Sequence, residues 1–163
     1  MKDLVLKWII WALLLQGVVY GYTLQQANNV LDTANNFFVC MKKRQYKKVW
    51  FYLSNTSKKA ILSSILKRSK KLKSKTLTQD FENGGKIARA YWDAYLRYFN
   101  PDTVLNESQW GIVSIKEKTA IISIKYKKAP KPIYLKLFKE NGKWKVGLAE
   151  TFFKSYYLNI SSP

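Results

Sequence analysis

The chain has 163 residues, 47% hydrophobic and 15% aromatic, enough for one packed domain and too apolar for intrinsic disorder. Twenty-nine Lys and Arg against ten Asp and Glu leave a formal charge of +19, a field that favours lipid head groups, nucleic acid, acidic glycans or acidic proteins as partners and that equally serves solubility alone. Histidine is absent and Cys40 is the only cysteine, which excludes imidazole bases, Ser-His and Cys-His nucleophiles, histidine-ligated metals, an intramolecular disulfide and any multi-cysteine metal site.

Residues 1–21 begin with Lys2 and Lys7, run apolar from Trp8 to Val19 and reach the small Gly21, the layout of a secretory signal peptide. The alternative is an uncleaved anchor over residues 4–24 with Lys7 snorkelling, since a bilayer span needs roughly 20 apolar residues. Either reading exports residues 22–163 to a periplasmic or extracellular compartment, free or anchored to the inner membrane.

Ala27, Val30, Leu31, Ala34, Phe37, Phe38 and Met41 recur at helical spacing, with Asn28, Asn29, Asp32, Asn35 and Asn36 opposite, so an amphipathic helix is expected. Cys40 falls within this helix as a small buried apolar residue. Tyr46, Val49, Trp50 and Leu53 repeat the spacing after a tight polar corner, Lys42 to Gln45. A second short helix folding back on the first lets two apolar stripes cover one surface. The segment 57–75 predicts a helix capped by Ser57, with Ile61, Leu62, Ile65, Leu66 and Leu72 on one side and basic residues around the rest. TLTQDFENGG (76–85) reads as a break at its glycine pair. A further helix is expected over 86–99, stopped by Asn100-Pro101, with Ala88, Tyr91, Trp92, Tyr95, Leu96 and Phe99 on its apolar face and a solvated salt-bridged flank of Arg89, Asp93 and Arg97.

From Trp110 the period becomes two: Ala120, Ile122, Ile124 and Tyr126 form one alternating set, and Ile133, Leu135 and Leu137 another. ENGK (140–143) predicts a type I′ hairpin into WKVGLAE, and TFFKSYYLNI (151–160) a final strand. Helices first and a meander afterwards make an α+β domain, with the helices on one side of an antiparallel sheet.

On these residues the chain resembles the NTF2-like (cone, or cystatin-like α+β) superfamily, in particular small exported bacterial domains of unknown function. The matching positions are Ala34, Phe37, Phe38, Met41, Lys42, Lys43, Tyr46, Trp50, Leu53 and Ser54, closing on ENGKWKV (140–146), over roughly residues 27–153. Relatives commonly carry Gly-Asp at the corner where this chain has Arg44-Gln45. The resemblance implies a curved sheet wrapping a long helix and a cavity open at one end. Some relatives bind hydrophobic molecules there, some catalyse isomerisation or dehydration, and many are association modules. Catalytic members place an Asp or an Asp-His pair in the cavity; without histidine the carboxylates of Asp93, Asp102, Glu107 and Glu150 are the available bases.

The leading expectation is an exported, non-catalytic binding or assembly domain that needs no cofactor or metal and holds an apolar small molecule or a protein partner. The expected pocket lining is Tyr91, Trp92, Tyr95, Tyr126, Leu135 and Trp144, because one helix face must meet one sheet face. Ordinary core packing is the competing role of each. A second reading is attachment to an anionic membrane surface, or a phospholipid ligand, through Lys67, Arg68, Lys70, Lys71 and Lys73 on the basic helix. A small isomerase or dehydratase is third. Homodimerisation through the sheet fits all three, whereas nucleic acid ranks last because export separates the chain from it.

Overall fold

The computed structural model describes residues 22–69 and 71–152. The signal or anchor segment 1–21, Lys70 and most of the expected last strand lie outside the described residues. Among the described residues no helix is long and apolar enough to cross a membrane.

Helix α1 (Leu24–Lys42) starts at a capping box, in which the Thr23 hydroxyl accepts the Gln26 amide and the Gln26 side chain accepts the Thr23 amide at 2.8 Å. Its buried side is Ala27, Val30, Ala34, Phe37, Phe38, Cys40 and Met41, with Leu31 of the expected stripe partly buried against the core. A corner at residues 43–45 leads into α2 (Tyr46–Tyr52), followed by α3 (Asn55–Arg68), α4 (Ser74–Asn83), α5 (Lys86–Tyr95) and α6 (Pro101–Asn106). Strands β1 (Ser108–Ile115), β2 (Thr119–Tyr126), β3 (Ile133–Glu140) and β4 (Lys143–Gly147) then form one antiparallel sheet in sequence order, and α7 (Leu148–Phe152) follows.

Sheet register sorts the side chains. Ala120, Ile122 and Ile124 pair with Leu137, Leu135 and Ile133, and Leu137 pairs in turn with Val146, so one face is continuously apolar. Helix α1 packs against β4 at one edge of the sheet and β1 at the other, so it lies across that face. Phe37, Phe81, Trp92, Leu135 and Leu137 are fully buried in the core between the layers. Complete burial of a Phe or Leu side chain contributes roughly 1.5–3 kcal/mol. The free side of β4 is met by Leu53, which bridges Val146, and by the Ser54 amide, which donates to the Val146 carbonyl at 2.9 Å.

The α+β architecture matches the expectation, as does the hairpin: Asn141 and Gly142 both take positive φ, 48° and 75°, as a type I′ turn demands. Several local expectations are corrected. The helix expected over 57–75 ends at Arg68, where the amide of the extended Ser69 closes on the Ile65 carbonyl. Its cap is Ser54, whose hydroxyl accepts the Ser57 amide at 3.0 Å. The break falls at the glycine pair as expected, but the residues before it, to which no element was assigned, are helical, because Leu77 and Phe81 lie one turn apart and both reach the core. The helix expected over 86–99 ends at Tyr95, before Asn100-Pro101 is reached, and that pair instead starts the next helix: Asn100 caps α6 by accepting the Asp102 amide, with Pro101 in the first turn. Beyond Gly147 the chain turns helical, so Leu148 to Phe152 form α7 where the strand was expected to continue. The Thr151 hydroxyl accepts the Lys136 amide at 3.0 Å, completing β3 where β4 has stopped.

Candidate functional site: a cationic cleft

The corner between α1 and α2 is tight enough that the Gln45 amide reaches back to the Cys40 carbonyl at 2.9 Å. This forces Arg44 to φ 53°, left-handed backbone that costs an L side chain roughly 1–2 kcal/mol. The Arg44 side chain projects onto α5, where its Nη1 lies 2.9 Å from Asp93 Oδ1. Tyr46 donates its hydroxyl to the same carboxylate oxygen. Burial first, then the hydrogen bond and charge of Asp93, push the Tyr46 hydroxyl up to about 12, against the opposing pull of Arg44. Asp93 thus serves the corner; the expected flank with Arg89 and Arg97 is not formed among the described residues, and Arg89 instead donates Nε to the Gly84 carbonyl at 3.0 Å.

The glycine pair sets the opposite wall. Gly84 ends α4 at φ 64°, and a Cβ there would meet the Lys47 backbone nitrogen at 3.1 Å, so α2 and α4 approach closely only because this residue has no side chain. Asp80 reaches past Gly85 to accept the Ala88 amide at 2.8 Å, satisfying the start of α5. Between these walls opens a cleft of about 460 Å³, lined by Arg44, Tyr46, Lys47, Lys48, Arg89 and Asp93 together with Gln45, Asn83 and Gly84. Four cations face one carboxylate, so the cleft carries a net positive charge suited to a phosphate or carboxylate group. Arg44 also borders a second hollow of about 330 Å³, where Lys42 Nζ meets Asp102 Oδ1 at 2.5 Å.

The positions expected either to line a pocket or to pack the core are Tyr91, Trp92, Tyr95, Tyr126, Leu135 and Trp144. Trp92 and Leu135 are fully buried, Trp144 is nearly so, and Tyr91, Tyr95 and Tyr126 are half-buried. Tyr91, Trp92 and Tyr95 stack edge to face along α5 between Phe81 and Phe99, Leu135 pairs across the sheet with Ile122, and Tyr126 ends β2 opposite Ser108. Trp92, Leu135 and Trp144 belong to the core and Tyr91 and Tyr95 pack against it, and none of the six lines the two hollows just described. One polar atom stands out: the buried Trp92 Nε1 has no hydrogen-bond partner among the described residues. Burial pushes the Tyr91 and Tyr95 hydroxyls up to about 12.

Of the basic candidates, Lys67 and Arg68 end α3 and Lys71 and Lys73 lie in the following connection, all exposed and outside the cleft. The apolar side of that segment is in use, with Ile61 buried and Leu62, Ile65, Leu66 and Leu72 packed on the core. The carboxylates weighed as bases have structural partners. Asp93 and Asp102 hold Arg44 and Lys42, Glu107 lies 3.7 Å from Lys127, and Glu150 accepts the hydroxyls of the buried Ser54 and Ser57 at 2.7 and 2.6 Å. Lys47, Lys48 and Arg89 of the cleft were not expected as site residues from the sequence, which placed Arg89 only on a salt-bridged flank. The signal for the first two was the density of cations in KKRQYKK (42–48), of which Lys42 to Gln45 alone was read as a polar corner.

Comparison of the chain with models of known protein families found no match, and comparisons with curated proteins and with solved structures found none either.

Proposed function

We propose that this chain is a non-catalytic binding and assembly domain of the NTF2-like kind, exported by residues 1–21, whose cationic cleft receives an anionic group of its partner. The NTF2-like reading is supported by a long first helix lying across an antiparallel meander, with helices preceding the strands and Leu53 adding a rudimentary strand at the β4 edge. The observation that carries the function is the cleft itself, where Lys47, Lys48 and Arg89 converge without carboxylate partners beside the neutralised Arg44–Asp93 pair. Strain held at Arg44 in place of the relatives' glycine favours a use for that side chain.

Titration calorimetry with inorganic pyrophosphate tests this. Binding is expected to the wild type, to weaken steeply with salt, and to disappear in the Lys47→Ala, Lys48→Ala, Arg89→Ala triple variant. Equal affinity in wild type and variant would sink the reading.

A second reading keeps an apolar ligand in the aromatic interior, supported by the unpartnered Trp92 Nε1, a buried donor whose desolvation costs roughly 1–3 kcal/mol unless an acceptor meets it. Native mass spectrometry of protein purified from its source should then reveal a bound small molecule that the Trp92→Phe variant releases. An intact mass equal to the bare chain in both proteins removes it.

A further inference from the structure

The exposed side of α2 continues past the cleft. Tyr46, Val49 and Trp50 point inward, while Lys47, Lys48 and Phe51 face solvent one turn apart, and Phe51 remains 50% exposed. At the far end of the helix two strand residues converge around this ring, and one residue from α3 lies over the neighbouring Trp50 ring. Lys145 Nζ donates to the Phe51 carbonyl at 2.6 Å and sits 3.7 Å from the ring centroid, Lys143 Nζ lies 5.8 Å from the same centroid, and Lys58 Nζ lies 5.6 Å from the Trp50 ring. Among the described residues none of these three ammonium groups has a carboxylate within ion-pair distance. Glu140 is the nearest acid by sequence to the hairpin, and both its oxygens accept the Asn55 amide, at 2.9 and 3.2 Å. Burial lowers the Lys58 and Lys145 pKa values, and Lys58 and Lys143 lower Lys145 further, against the raising charge of Glu140 on both and of Glu82 on Lys58. Like charges gathered and partly desolvated in this way are stabilised by a bound anion.

We infer that α2 is a docking track for an extended acidic peptide of a partner protein, with one acidic group in the Arg44–Lys47–Lys48–Arg89 cleft and a second among Lys58, Lys143 and Lys145 beside Phe51. This rests on the cleft reading and names its partner. Seven helical residues span roughly 10 Å, and an extended peptide rises roughly 3.3 Å per residue, so acidic residues about three apart reach both ends. An apolar side chain between them meets the exposed edge of Phe51. Single-stranded nucleic acid fits less well, because bases bind by stacking on ring faces and a lysine ammonium already occupies a face of Phe51.

Fluorescence anisotropy decides, using a labelled peptide with two Glu pairs flanking one Leu, a peptide in which one Glu pair is replaced by Gln, and an oligothymidylate of equal charge. The first peptide is expected to bind about tenfold more tightly than the second, and to lose about tenfold on Lys143→Glu or on the Lys58→Gln, Lys145→Gln pair. Lys143 is exposed, so its substitution leaves the fold intact. Pyrophosphate binding at the cleft serves as the control and is expected to remain in these variants. Peptide affinity indifferent to the second Glu pair or to Lys143→Glu, with pyrophosphate still bound, overturns the track while sparing the cleft. Tighter binding of the oligothymidylate overturns the peptide as occupant, and loss of pyrophosphate binding by the wild type overturns both readings.

Discussion

Arg44 joins a backbone cost to a side-chain use. Its φ of 53° is a conformation glycine adopts freely, while its guanidinium holds Asp93 and borders the cleft. The ion pair is substantially exposed, and such pairs contribute about 0–1 kcal/mol, less than the strain relieved by removing the side chain. Arg44→Gly is therefore expected to raise stability by about 0.5 kcal/mol in urea denaturation while weakening pyrophosphate binding. Lower stability would show that the pair outweighs the strain. Ser57 is the opposite case, a buried hydroxyl that donates to Glu150 and accepts the Ala149 amide at 2.9 Å. Ser57→Ala leaves the Ala149 amide unmatched and Glu150 with Ser54 alone, and is expected to cost about 1–3 kcal/mol, against less than about 0.5 for Thr56→Ala on the exposed side. Sequence reading reached Ser57 as a helix cap, yet its true partner, Glu150, lies 93 residues away and no local pattern marks it.

Among the elements, α1, α2 and the meander were legible because each carries a complete period: seven apolar residues of α1 reach the core, and the inward rows of β2 and β3 are uninterrupted. α4 was not, because Leu77 and Phe81 alone mark its buried side amid polar residues. The basic stretch 57–75 misled in the other direction, since its lysines suit a helix yet offer no contact to carry one past Ser69. α4 matters to the site through its end: Gly84 must stop the helix in left-handed backbone and pass within contact distance of Lys47. Gly84→Ala is expected to cost about 1–2 kcal/mol from backbone conformation, and more if the Lys47 backbone cannot yield. Pyrophosphate affinity should fall with it, whereas Gly142→Ala, which meets open space, should alter stability alone. Unchanged binding in Gly84→Ala would mean that the approach of α2 to α4 does not shape the cleft.

At the scale of the molecule, a formal charge of +19 repels itself, and tyrosine burial gives the fold an alkaline limit. Unfolded tyrosine ionises near pH 10, while Tyr46, Tyr91 and Tyr95 are held neutral in the folded chain to about 12. The folded state holds these protons more tightly, so their contribution is complete below about pH 10 and is lost as pH rises to about 12. Denaturation midpoints should fall through that window, with late tyrosinate absorbance appearing together with unfolding, and Tyr91→Phe with Tyr95→Phe should flatten the fall. An unaltered profile in that double variant would assign the alkaline limit elsewhere. By itself the sequence determined that helices precede an antiparallel meander and which side of α1 and of the strands turns inward, because periodic burial is a local property written into neighbouring residues. Only the tertiary structure decided that the aromatic residues of α5 pack the interior, and that cations from residues 44–48 and 89, and from 58, 143 and 145, gather at the two ends of α2. Charge leaves no periodic trace, so its convergence depends on how whole elements cross.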